Sequence, residues 1–81
     1  MQLAIMNIPP GGTIPEEVHS RSDQFIYLVK GRARIKVKNG RSYRLAPEEA
    51  FLVPKGTTHE VENLSPVRSL LLFTMYAPPV H

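Results

Sequence analysis

Eight prolines and five glycines punctuate this 81-residue chain, and their spacing leaves no uninterrupted stretch with a helical period. They fall as Pro9-Pro10-Gly11-Gly12, Pro15, Gly31, Asn39-Gly40, Pro47, Pro54-Lys55-Gly56, Pro66 and Pro78-Pro79. Proline removes a backbone donor and fixes φ, and glycine carries the highest entropy cost of ordering, so both interrupt helices and mark turns. Between them lie short runs of β-branched, aromatic and aliphatic residues: Leu3–Ile8, Gln24–Lys30, Arg32–Lys38, Arg41–Leu45, Ala50–Val53, His59–Asn63 and Arg68–Tyr76. Seven or eight strands at this spacing predict an all-β sandwich or barrel and exclude a βαβ fold. Asn39-Gly40 is the strongest hairpin signal. It predicts a type I′ turn joining Arg32–Lys38 to Arg41–Leu45, because that turn needs positive φ at both central residues.

Size and composition narrow the class further. There is no cysteine, so a disulfide scaffold is excluded, and no linker or repeat divides the chain, which predicts one domain over residues 1–81. A chain this short buries only about 60% of its unfolded surface. No apolar run approaches the roughly 20 residues that span a bilayer, and the N-terminus lacks a basic head and a small-residue cleavage site. The expectation is a cytoplasmic protein without a membrane segment.

Alternation assigns faces. In Arg32–Lys38 the apolar Ala33, Ile35 and Val37 share one face while Arg32, Arg34, Lys36 and Lys38 share the other, so one side packs on a core and the other meets solvent or a charged partner. Gln24–Lys30 and Arg68–Tyr76 differ. Ile26 and Leu28 oppose Phe25, Tyr27 and Val29, and Leu70 and Leu72 oppose Leu71, Phe73 and Met75. Both strands are apolar on both sides. In so small a protein the second face has no internal partner, which predicts a homodimer that buries either Phe25, Tyr27 and Val29 or Leu71, Phe73 and Met75.

Charge is also segregated. Lys30, Arg32, Arg34, Lys36, Lys38, Arg41 and Arg44 form a stretch without an acid, while Glu16, Glu17, Asp23, Glu60 and Glu62 flank the two internal histidines. A basic ribbon suits phosphate backbones, but no aromatic residue interleaves its charges to stack bases. A solvated outer face that discourages edge pairing is the favoured reading, and nucleic-acid binding ranks below it.

Without cysteine, a metal site must come from histidine, carboxylates and amides. Glu17 and His19 fall on one face of an extended segment, Gln24 opens an apolar strand, and His59 follows the turn Pro54-Lys55-Gly56-Thr57-Thr58. These residues and their spacing resemble the cupin superfamily, the small double-stranded β-helix or jelly-roll barrels. Read from Gly11, the first cupin motif meets Glu17 where its first His belongs, His19 at the second, Gln24 where its Glu belongs, and Gly31 at its closing glycine. The second motif, Pro-x-Gly-x-x-His-x-x-x-Asn, is matched by Pro54, Gly56, His59 and Asn63, with Glu48 in place of its opening glycine. The resemblance implies a cupin-type jelly-roll barrel with one divalent metal inside. Carried over position by position, the ligands are Glu17, His19, Gln24 and His59. Two imidazoles and a carboxylate match a facial-triad set with open positions, so Fe, Mn, Ni and Zn all suit it.

Two functions follow from the resemblance. One is a metal-dependent enzyme acting on a small polar molecule held in the barrel, since similar small cupins are isomerases, epimerases, dioxygenases or decarboxylases. There the metal polarises an oxygen of the substrate, and a Glu17 that is not a ligand serves as general base. The other is a non-catalytic metal- or ligand-binding sensor module. Both histidines favour a working metal; the neutral Gln24 favours binding or altered chemistry.

Overall fold

The computed structural model describes residues 2–18, 20–38 and 40–78, apart from the side chains of Gln2, Glu16 and Glu17. The described chain is all-β, with eight strands: β1 Gln2–Ile8, β2 Thr13–Glu17, β3 Asp23–Lys30, β4 Ala33–Val37, β5 Ser42–Leu45, β6 Ala50–Val53, β7 His59–Asn63 and β8 Leu70–Ala77. They form two antiparallel sheets in the orders β1-β8-β3-β6 and β2-β7-β4-β5, the face-to-face jelly roll. No described helix is long and apolar enough to cross a membrane. The strand that the apolar runs do not announce is β2, TIPEE. Its Pro15 and acidic residues are tolerated because β2 is an edge strand, paired only with β7.

Alternation holds where expected. Ile26 and Leu28 of β3, Ala33 and Ile35 of β4, Val61 of β7, and Leu70 and Leu72 of β8 are buried, and they join Ile8, Leu45 and Val53 in one core between the sheets. The β4–β5 hairpin forms as expected; Asn39, the first central residue of the expected type I′ turn, lies outside the described residues. The Gly40 amide donates to the Val37 carbonyl at 3.0 Å and the Val37 amide to the Arg41 carbonyl at 2.9 Å. Gly40 has φ +94°, a positive φ that glycine adopts without strain. The Lys38 amide donates instead to Thr58, tying this loop to the one before β7.

Two motif positions are explained by backbone geometry. Gly31, between β3 and β4, has φ +98°, and a Cβ there would sit 3.1 Å from Leu70 Cδ1 and 3.3 Å from Leu70 Cα. Only glycine fits both the conformation and the close approach. Glu48, standing where the resemblance expects glycine, has φ +69°. That left-handed backbone costs a non-glycine residue roughly 1–2 kcal/mol, and it is held by the Glu48 amide bonding the Leu28 carbonyl at 2.7 Å.

Gly31 also fixes the polarity of the sandwich. β3 runs toward it and β4 runs away from it, so Lys30, Ala33 and the adjoining Leu70 lie at one pole. Gln24 of β3, Val37 of β4 and Tyr76 of β8 lie at the other, about six residues or 20 Å along the strands.

Candidate functional site

Register converts the candidate residues into a layer. Gln24 lies opposite Tyr76 of β8 and Val53 of β6. Across the sandwich, His59 lies opposite Val37 of β4 on one side and Glu17 of β2 on the other. All of these positions are at the pole distant from Gly31. A register shift between Ile14 and Glu17 makes Glu17, and not Glu16, the residue facing His59 along the ladder. Bulges re-aim chains at functional sites in this way. His19 and the side chain of Glu17 lie outside the described residues; of the four candidates the structure brings Gln24, His59 and the backbone of Glu17 to this pole.

The interior at this pole is polar. Gln24, His59, Thr74 and Tyr76 are 2%, 2%, 1% and 5% exposed, whereas the layers nearer Gly31 hold Leu28, Leu70, Leu72 and Ala33. Gln24 Nε2 donates to Tyr76 Oη over a long 3.3 Å. Gln24 Oε1 and Thr74 Oγ1 are buried with no hydrogen-bond partner among the described residues. Turning the amide over exchanges which of its atoms is left over without removing the deficit. Each such atom costs about 1–3 kcal/mol when nothing meets it.

The His59 ring is oriented by a main-chain contact. Its Nδ1 lies 3.3 Å from the Thr57 carbonyl, a contact that requires the proton on Nδ1 and leaves the lone pair of the neutral ring on Nε2, the atom shut inside the sandwich. The turn delivering His59 is anchored beside Gln24, because the Lys55 amide donates to Asp23 Oδ1 at 2.9 Å.

Asn63, which matches the second motif, has a structural task. Its Nδ2 donates to the carbonyls of Ile8, Pro9 and Arg68 at 3.1, 3.0 and 2.8 Å, and its Oδ1 accepts from the Ser65 amide at 2.9 Å. It ties three chain segments together at the Gly31 pole, far from His59.

The charged residues sort differently from their order in sequence. Glu60 and Glu62 alternate with the buried His59, Val61 and Asn63, so they lie on the outer face and not around the candidate site. There Glu62 pairs with Arg34 at 3.5 Å, and Lys36 reaches Glu60 at 3.8 Å and Glu62 at 3.7 Å. Two cations of the basic ribbon are thus matched by acids of the neighbouring strand, each exposed pair worth roughly 0.2–1 kcal/mol. Arg32 and Arg44 line an open surface cleft with Pro47 and Glu49 at the Gly31 pole, outside the polar interior.

A family model described as a cupin domain matches residues 4–75. Among curated relatives, the tetracenomycin polyketide synthase protein TcmJ of Streptomyces glaucescens is 34% identical over 71 residues, spanning 88% of this chain and 47% of that protein. The uncharacterized protein YrkC of Bacillus subtilis is 32% identical over 85 residues, spanning 99% and 45%. The chain therefore spans about half the length of the curated relatives it matches. A solved structure from Bacillus halodurans superposes with a TM-score of 0.91 at 33% identity, covering 99% of this chain and 64% of that one. A predicted oxalate decarboxylase from Thermotoga maritima superposes with a TM-score of 0.83 at 20% identity, covering 91% and 63%, a likeness of fold alone. Two spaced motifs, the jelly-roll topology and the family match agree: the chain belongs to the cupin family.

Proposed function

We propose that the polar pole of this cupin binds a divalent metal, and with it a small oxygen-rich molecule on which the protein acts. The observation that carries this reading is the pair of buried atoms, Gln24 Oε1 and Thr74 Oγ1, without partners among the described residues. A fold that leaves two polar atoms unmet in adjacent rows of one sheet has given up stability there, and a bound group that meets them offsets the cost. The donor chemistry suits a borderline divalent cation: an imidazole in the ligating tautomer at His59 and an amide oxygen at Gln24, with Glu17 and His19 as the further ligands.

When bound, such a metal supplies a Lewis acid that polarises a carbonyl or enediol oxygen. The chain does the rest. Thr57 holds the His59 tautomer, Tyr76 steers the Gln24 amide, and Thr74 presents a hydroxyl to a substrate oxygen. The enclosing sheets keep bulk water from this layer, which strengthens each polar contact in it. Two relatives carry polyketide synthase names, which supports an oxygen-rich substrate class. The neutral Gln24, where the family motif has a carboxylate, supports a second reading, a module that binds metal and ligand without turnover.

The test is elemental analysis of untagged protein, followed by thermal unfolding with added Fe(II), Mn(II), Ni(II) or Zn(II). Wild type should carry or take up one metal per chain, His59→Ala should take up none, and Gln24→Ala should bind more weakly. A wild-type protein that neither carries metal nor responds to any of the four overturns the proposal. Turnover of a β-dicarbonyl or hydroxyacid panel by the loaded protein separates enzyme from binding module.

A further inference from the structure

Most cations of this chain divide into two sets by what faces them. Arg34 and Lys36 are paired with Glu60 and Glu62 of β7. Lys30, Arg32, Arg44 and Arg68 are exposed, and none of the four pairs with an acid among the described residues. All four line clefts at the Gly31 pole. Arg32 and Arg44 flank one of about 530 Å³, Arg32 and Arg68 a second of about 410 Å³, and Lys30 and Arg68 a third of about 600 Å³. The three meet, because Pro47 lines every one of them and Gly31 lines two. Against four cations these clefts hold one acid, Glu49, whose Oε1 already accepts from the Ala46 amide at 2.7 Å.

Two features here work against stability. Arg44 stands opposite Arg34 in the β4–β5 ladder, and like charges directly opposite one another destabilise a sheet. Beside Pro47, Glu48 keeps its left-handed φ of +69°, in a loop held from both sides by the Glu48 amide on the Leu28 carbonyl and the Leu28 amide on the Glu49 carbonyl. Backbone strain held in this way clusters where ligands are clamped.

We propose that this belt binds an oligophosphate, two or three phosphoryl groups in a row, recognised through the phosphates alone. A guanidinium fork meets two oxygens of one phosphoryl group or carboxylate, so one arginine satisfies a single carboxylate, whereas cations along joined clefts fit anions in succession. No aromatic side chain lines any of the three. A base therefore finds nothing to stack on, and single-stranded nucleic acid lacks the platform it uses. The belt lies at the pole opposite Gln24 and His59, about 20 Å away along the strands.

Calorimetric titration of tripolyphosphate into wild type, in metal-free buffer at about 0.15 M salt, should give one site per chain with Kd below about 1 mM. ATP should bind within about threefold of it, because the base adds no contact. Arg32→Gln with Arg44→Gln should weaken binding at least about tenfold. Lys36→Gln with Lys38→Gln removes the same charge from the same ribbon beyond a Debye length and should weaken it less than about threefold. Glu49→Gln supplies a readout of opposite sign: it keeps the acceptor for the Ala46 amide, removes the one negative charge of the clefts and should tighten binding. All five residues are exposed, and an unchanged circular dichroism spectrum checks each fold. No binding at about 10 mM tripolyphosphate overturns the proposal. So does an equal loss in the two double variants, which would mean diffuse attraction to net charge, or a loss in His59→Ala, which would put the phosphates at the other pole. Binding of ATP or of a single-stranded oligonucleotide more than about tenfold tighter than tripolyphosphate overturns it as well. None of these outcomes needs a metal, so the proposed function stands or falls separately.

Discussion

Replacing Gln24 by leucine separates a functional amide from a structural one. The native side chain has a single described hydrogen bond, at 3.3 Å to Tyr76 Oη, at the long end for such bonds and worth at most about 0.5–1 kcal/mol net. Against that stands the unmet Oε1, whose burial costs about 1–3 kcal/mol. Leucine is close to glutamine in volume and carries no polar atom, so Gln24→Leu removes the cost with little loss of packing. The expected outcome in metal-free buffer with chelator is a gain of about 1 kcal/mol, which for a domain of this size raises Tm by roughly 4–8 °C. The same variant should show a smaller metal-dependent rise in Tm than that expected of wild type. Thr74→Val, which removes the second unmet atom and keeps the shape, should shift stability in the same direction. Thermal unfolding followed by circular dichroism reads both. A fall of several degrees for Gln24→Leu in chelator would mean that the amide is already satisfied within the fold, and the case for a ligand at this pole would fail.

The remaining predictions concern the scaffold. Asn63→Ala strips the two N–H donors shared among three carbonyls and the acceptor from the Ser65 amide; at about 1 kcal/mol per full hydrogen bond this comes to roughly 3 kcal/mol, read as a lower urea midpoint without loss of metal uptake in the folded fraction. Gly31→Ala forces a Cβ against Leu70 at a positive φ and should cost at least about 1–3 kcal/mol, while alanine at Gly40, where nothing lies within 4 Å, should cost less. Glu48→Gly relieves the left-handed φ and should stabilise by up to about 1 kcal/mol once the larger entropy of an unfolded glycine is subtracted. Lys36→Ala should cost no more than about 1 kcal/mol, with a loss that shrinks as salt rises.

Much of this fold is written in period-two patterns. β4, with ARIKV, buries Ala33 and Ile35, and β7, with HEVEN, buries His59, Val61 and Asn63, with the intervening residues half-buried or exposed, so their faces follow from sequence. β3 and β8 were legible as strands apolar on both sides, but two candidate interfaces could not be merged into one until register placed the strands side by side. β2 was hard to read because its polar residues and proline carry no apolar alternation; only its pairing with β7 makes it a strand. The hairpin was legible from Asn39-Gly40, and the tie of its Lys38 amide to the Thr58 carbonyl, a contact distant in sequence, was not.

The positions of Gln24 and His59 were legible through spacing, and their environment was not. Gln24 and His59 stand in positions marked by the two motifs, and both are buried in one polar layer. Thr74 and Tyr76 escaped notice because β8 reads as a hydrophobic strand, LLLFTMYA; a threonine and a tyrosine two residues apart on the inward parity were the available signal. The acids were misplaced for the opposite reason. Glu60 and Glu62 neighbour His59 in sequence, but strand alternation sends them to the far side of the sheet, where Arg34 and Lys36 meet them. The interior is thereby divided along the strands into an apolar half, fixed by Gly31 and Asn63, and a polar half that ends at Gln24 and His59. Because the first half holds most of the buried aliphatic residues, it can sustain the fold while the second carries unmet polar atoms. Substitutions in the interior near Gly31 should therefore change stability before metal binding, and those near Gln24 metal binding before stability.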